Sequence, residues 1–182
     1  MYEGNNPKAR ESQRLLLEAF ELLMAERNFA DIPVSEICSR AGVSRQTFYT
    51  LFGTKENLLV YLLEHAPGAE EAEGEEPVTL QETCVRFARF VALNYTQLRV
   101  LVENGLENAL ESQMRRSMAS CTRSFVELPN DEREYAASFM AAGFTSIARL
   151  YIESHDEADV AELARLAFKM ASGGVFVAKA KL

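Results

Sequence analysis

Gly42 divides two short helical patterns, and no other feature restricts the fold as much. In AGVSRQTFYTLFGTKENLL, residues 41–59, a glycine closes one apolar-periodic segment and a serine two residues on opens the next. Glycine adopts φ > 0 after a helix without a Cβ penalty, which leaves Val43 free to fold back onto a core. Ser44 has the chemistry of an N-cap. The spacing predicts a helix ending at Gly42, a tight turn, and a short helix over about Arg45 to Phe52, which is a helix-turn-helix.

The flanking segments fit that reading. Leu16, Ala19, Phe20 and Leu23 recur at i, i+3, i+4 and i+7, so roughly Lys8 to Arg27 reads as an amphipathic helix. Phe29, Ile32 and Val34 close the loop over it, Pro33 suits the start of a second helix, and Ile37, Cys38 and Ala41 form that helix's inward stripe. Thr54 is placed to cap a fourth helix with Leu58, Leu59 and Leu62 inward. With 5 Pro, 9 Gly and 48% hydrophobic residues in 182, long helices are the default, and the expected class is all-α. Residues 1–63 read as a three-helix head with the start of a connecting helix, the Glu-rich APGAEEAEGEEPVT region within 64–79 as an acidic linker, and 80–182 as a second helical domain.

Several function classes fit poorly. There is no run of about 18 apolar residues and no signal-peptide core near the first Met, so no membrane partner and a cytoplasmic location are expected. Cys38, Cys84 and Cys121 contain no CxxC pair, which argues against a disulfide framework and a zinc site and for buried reduced thiols. His65 and His155 stand apart from any Cys, Ser or carboxylate pattern typical of catalysis, and no phosphate loop occurs, so neither an enzyme nor a cofactor or metal is expected. The net charge is −8, yet residues 1–63 carry seven Lys/Arg against eight Asp/Glu, near −1. A head with that balance has to meet a polyanion by local placement.

The third helix shows where such placement is available. At about 100° per residue, Phe48, Leu51 and Phe52 share a core face, Gln46 and Thr50 lie almost opposite, and Thr47 and Tyr49 stand on the flanks. Such a polar face is either simply solvated or a hydrogen-bonding surface. Gln pairs bidentately with adenine, Thr offers a hydroxyl and a methyl, and a tyrosine hydroxyl reaches a phosphate. Lys55, in the first turn of the fourth helix, adds a charge beside free N–H groups that suit an anion.

These residues resemble the N-terminal domain of the tetracycline-repressor (TetR) family of bacterial transcription regulators. The family's I-x-x-x-A-G-V-S-x-x-T-x-Y-x-x-F-x-x-K-x-x-L core is filled here by Ile37, Ala41, Gly42, Val43, Ser44, Thr47, Tyr49, Phe52, Lys55 and Leu58, and the likeness covers roughly residues 7–63. The resemblance implies a homodimer whose recognition helix enters the major groove of double-stranded DNA at a palindromic operator. Carried over, it sets Gln46, Thr47 and Thr50 at bases and Ser44, Tyr49 and Lys55 at phosphates, with Arg45 open to either role. Where members often have a Thr that caps the second helix and touches a phosphate, this chain has Pro33, with Ser35 as the replacement.

Beyond the linker the residues speak for themselves. Leu80 to about Leu101 reads as one helix, Gly105 as a break, and Leu106 to about Phe125 as another helix. Asp131 with Glu134 has the shape of a capping box. Tyr135 to Ile152 has a single charge, Arg149, and a helix so apolar has to be covered on more than one side. Ala137, Ala141, Ala142 and Gly143 allow close approach, and the last helix, Ala158 to about Ala171, completes a four-helix dimer seam through Val160, Leu163, Ala164, Ala167 and Met170. The resemblance further implies a small effector bound within this bundle. Phe87, Phe90, Tyr95, Met114, Met118, Phe125 and Phe139 are an aromatic and methionine set suited to an apolar effector, and they serve core packing equally. Arg86, Arg89 and Arg149 are alternatives for meeting a buried anionic group. The expected function is a sequence-specific DNA-binding regulator, a repressor released by its effector. The alternative is a dimeric helix-turn-helix adaptor acting through protein contacts.

Overall fold

The computed structural model describes residues 6–66, 79–120 and 128–173. Among the described residues the chain is all α-helical. The order is α1 (Pro7–Glu26), a 3-10 turn (Phe29–Asp31), α2 (Val34–Ala41), α3 (Arg45–Leu51), α4 (Lys55–Glu64), α5 (Leu80–Leu93), α6 (Tyr95–Glu103), α7 (Glu107–Ser120), α8 (Asn130–Ser154) and α9 (Val160–Ala171). The chain divides into two compact units, Met1–Leu62 and Leu63–Leu182.

In the first unit local chemistry sets each helix end. Asn6 caps α1 by accepting from the Lys8 N–H, with Pro7 in the first helical position, where its missing N–H leaves no bond unmade. Gly42 ends α2 at φ 65°, and the Val43 N–H reaches back to the Cys38 carbonyl at 3.0 Å. Pro33 is the N-cap of α2 rather than its first helical residue. α1 packs on both α2 and α3, and Leu16, Phe20, Leu23, Ile32, Ile37, Phe48 and Leu58 are fully buried between the helices. Arg40 grips Glu26 with both arms and Arg27 pairs with Glu36, joining the ends of α1 and α2. These pairs are exposed and screened by solvent, so the apolar core sets the packing.

In the second unit α5 lies along α9, and α8 lies along α7 and α6. Phe87 of α5 stacks on Phe144 of α8 with ring centroids 4.6 Å apart. Three helix boundaries depart from the periodicity. The helix expected from Leu80 to Leu101 breaks at Asn94, a buried residue whose amide donates to the Phe90 carbonyl at 2.9 Å; a short side chain that bonds its own helix competes with helical propagation. Asp131 and Glu134 form no capping box, because Pro129 is the N-cap and α8 starts one residue before Asp131. The capping box is instead at Thr79 and Glu82, where each side chain accepts the other's backbone N–H at the start of α5.

Burial raises the thiol pKa values of Cys38 and Cys84, the latter to about 11. Both therefore stay protonated at neutral pH and behave as small apolar groups. Cys121 lies outside the described residues.

Candidate functional site

α3 presents two chemically distinct sides because its core residues are fixed. Phe48 is fully buried, Leu51 and Phe52 are 3% exposed, and the Phe48 ring meets those of Tyr49 and Phe52 at 5.5 and 5.9 Å. That anchorage leaves Arg45, Gln46, Tyr49 and Thr50 exposed, and Thr47 half-buried on a flank. Ser44 caps the helix by accepting the Thr47 N–H at 3.1 Å, and its hydroxyl also lies 2.8 Å from the Thr47 hydroxyl. Thr50 donates its hydroxyl back to the Gln46 carbonyl at 2.9 Å. Six of the eight residues expected to form a nucleic-acid interface therefore stand together on one short helix and its cap.

The other two lie elsewhere. Ser35 is exposed in the first turn of α2. Lys55 does not stand free beside the helix as the phosphate role requires. Its ammonium donates to the carbonyls of Phe29, Ala30 and Ile32 at 2.7, 3.1 and 3.2 Å and lies 4.4 Å from the centre of the Phe29 ring. Those three bonds engage all the ammonium protons, and the lysine acts as a staple between the start of α4 and the loop after α1. Lys55→Ala is accordingly expected to destabilise the first unit by about 2–3 kcal/mol, the range for bonds made by a charged donor. Chemical denaturation followed by far-UV circular dichroism measures it, and a loss below about 0.5 kcal/mol would return Lys55 to the solvated surface.

Other cations of this unit are neutralised in place. Arg14 pairs with Glu11 and Glu18, Arg27 with Glu36, and Arg40 with Glu26. The Arg40 pair and the Arg14–Glu11 pair hold Glu26 and Glu11 below the usual carboxylate range. Local placement on α3, not a basic field, is what this surface offers.

The residues expected to line an effector pocket separate into groups. Phe87, Phe90, Met114 and Met118 are buried in the second unit, at 4 to 6% exposure. Tyr95 is half-buried, and its hydroxyl donates to the His155 carbonyl, tying α6 to the turn between α8 and α9. Phe139 is 74% exposed, so it faces outward and lines no interior site; Phe144, five residues on, takes the inward place against Phe87. Phe125 lies outside the described residues. Sequence reasoning also passed over Thr145, whose buried hydroxyl oxygen has no hydrogen-bond partner among the described residues.

α8 turns a second apolar stripe away from its own bundle. Tyr135, Phe139 and Leu150 are 79, 74 and 56% exposed, with Ala142, Gly143 and Ser146 exposed between them. Ala137 and Ala141, expected to share in close helix approach to a partner, are buried within the chain. On α9 the same division holds: Leu163 and Ala167 are buried, whereas Phe168 and Met170 are exposed.

The chain is similar to known proteins over the helix-turn-helix and in its fold. Residues 16–62 match the family described as bacterial regulatory proteins, tetR family. The HTH-type transcriptional regulator EthR of Mycobacterium tuberculosis is 38% identical over 58 residues, 32% of this chain and 27% of that protein. The HTH-type dhaKLM operon transcriptional activator DhaS of Lactococcus lactis is 36% identical over 61 residues, 34% of this chain and 33% of that protein. The matched stretch thus spans about a third or less of these relatives' own length. Among solved structures, the dihydroxyacetone kinase operon activator DhaS superposes with TM-score 0.60 at 19% identity, covering 91% of this chain and 97% of that one. A TetR transcriptional regulator from Rhodococcus sp. RHA1 superposes with TM-score 0.63 at 16% identity, covering 92% and 98%. Residues 16–62 thus match the helix-turn-helix of the tetR family of bacterial regulatory proteins, and the helical fold of the chain is similar to that of solved TetR regulators.

Proposed function

We propose that the chain is a sequence-specific DNA-binding transcriptional regulator that works as a two-fold dimer in the cytoplasm, without catalysis. The observation that carries this reading is α3, a helix whose core side is locked by Phe48 and whose opposite side offers Arg45, Gln46, Tyr49 and Thr50 to the major groove. Tyr49 and Ser44 are the phosphate contacts of this reading, with Ser35 beyond them on α2. Among the described residues no helix is long and apolar enough to cross a membrane.

A dimer is supported by the outward stripe of α8, which the single chain leaves uncovered. Two heads joined at such a seam meet successive major grooves of a palindromic operator, about 34 Å apart. The regulator is a repressor in this reading, released when an apolar effector enters the second unit near Phe87, Phe90, Met114 and Met118. The unsatisfied Thr145 hydroxyl supports a ligand carrying one polar group, since a buried hydroxyl without a partner costs about 1–3 kcal/mol. Release needs only that the effector bind one head spacing better than the other.

The expected result is that purified protein binds a duplex from upstream of its own gene, and that log affinity falls steeply against log salt as phosphate contacts release counterions. Absence of binding at low salt would instead favour a dimeric adaptor, a reading to which the internal pairing of Arg14, Arg27 and Arg40 lends weight. Fluorescence anisotropy with labelled duplex makes the measurement.

A further inference from the structure

We infer that sequence reading in this head is concentrated in Arg45 and Gln46, with Arg45 donating both arms of its guanidinium to N7 and O6 of a guanine. This rests on the DNA-binding reading above and adds to it the base that the operator has to present. The argument begins with which polar groups on α3 are already engaged. The Ser44 hydroxyl accepts the Thr47 N–H and shares a proton with the Thr47 hydroxyl. The Thr50 hydroxyl donates to the Gln46 carbonyl, so toward a base it can only accept. Of the three hydroxyl protons, one goes to the Gln46 carbonyl and one lies between Ser44 and Thr47, which leaves a single proton to donate to a phosphate.

The cations divide in the same way. Arg14, Arg27 and Arg40 are held by Glu11 and Glu18, Glu36, and Glu26, while Lys55 is held by three carbonyls. Arg45 is exposed at the first position of α3, and among the described residues its guanidinium makes no hydrogen bond or ion pair. The first residues of a recognition helix are those that reach base edges. A planar fork of N–H donors there matches the paired acceptors of guanine, and no other base offers two acceptors side by side in the major groove. Gln46, beside it and exposed, carries both donor and acceptor and matches adenine N6 and N7. Thr50, limited to accepting, tolerates either exocyclic amino group and discriminates little.

A selection from a random-sequence duplex library, read by sequencing, tests this with the intact chain and its Arg45→Lys, Arg45→Ala and Leu22→Gln variants. The wild type is expected to enrich a two-fold motif with an invariant guanine in each half. Arg45→Lys keeps the charge without the fork, so it should keep the salt slope yet lose roughly ten- to a hundred-fold of preference at that guanine. Leu22→Gln, at an exposed position of α1, should leave the motif unchanged. Uniform weakening over all sequences by Arg45→Ala, with the salt slope reduced by about one and the motif intact, would make Arg45 a phosphate contact and overturn the inference alone. A wild type that enriches no motif would overturn the DNA-binding reading together with it.

Discussion

Phe48→Ala is expected to destabilise the first unit by about 3–5 kcal/mol, the range for truncating a buried phenylalanine. The ring is fully buried and touches both Tyr49 and Phe52, whose own ring lies 5.4 Å from that of Tyr61 on α4. Removing it opens a cavity between α3 and the rest of the unit. Small domains are stable by about 5–15 kcal/mol, so much of that margin would go, and with it any surface that α3 presents. Tyr49→Ala, one residue on, is the informative partner: its side chain is 54% exposed, and its removal should cost only about 0.5–1.5 kcal/mol, the worth of its edge contact with Phe48. Denaturant titration of both variants by circular dichroism decides the matter. Equal losses would mean that α3 is rotated by about 100° from the orientation described, and the polar face would not exist as such.

The contrast explains why the head was readable from sequence and the second unit only in part. Gly42, Ser44 and Thr54 act on backbone groups within a few residues, so their chemistry can be read locally; each of these ends falls where its residue type predicts. Lys55 is different, because its partners lie 23 to 26 residues away and are carbonyls that every residue possesses. No residue pattern announces such a bond. Asn94 failed for a related reason: one polar residue in an apolar-periodic run reads as an outward position, yet its burial and its bond to Phe90 interrupt the helix. On α8 the difficulty is phase. Phe139 and Phe144 are about 140° apart around the helix, and a segment apolar on nearly all sides gives no sign of which of them faces the bundle. Thr79 and Glu82 were legible as a capping pair by spacing, but the glutamate-rich run before them gave the stretch the look of a linker.

If two chains pair along α8 as proposed, Ala142→Glu is expected to convert the dimer into monomers and to weaken DNA binding by about 10²–10⁴-fold, the advantage that linking two heads supplies. Ala142 is exposed in the single chain, so the glutamate disturbs nothing there; across a two-fold seam it places two carboxylates near one another in a desolvated contact. Gly143 supplies an independent reason to locate the seam here. A glycine in a helix interior is less stable than alanine by about 1 kcal/mol, and in this chain a Cβ at Gly143 would meet nothing within 4 Å. Among the described residues nothing therefore calls for the glycine, whereas a partner helix crossing close to it would. Gly143→Ala should raise the stability of the monomer and weaken the dimer, opposite signs that a merely exposed helix face could not produce. Leu93→Asp provides the comparison, since Leu93 is an equally exposed apolar residue, 57%, on α5 and off the stripe. Sedimentation equilibrium should find it dimeric. If Leu93→Asp dissociates while Ala142→Glu remains paired, the seam lies on α5, and the apolar face of α8 would need another occupant.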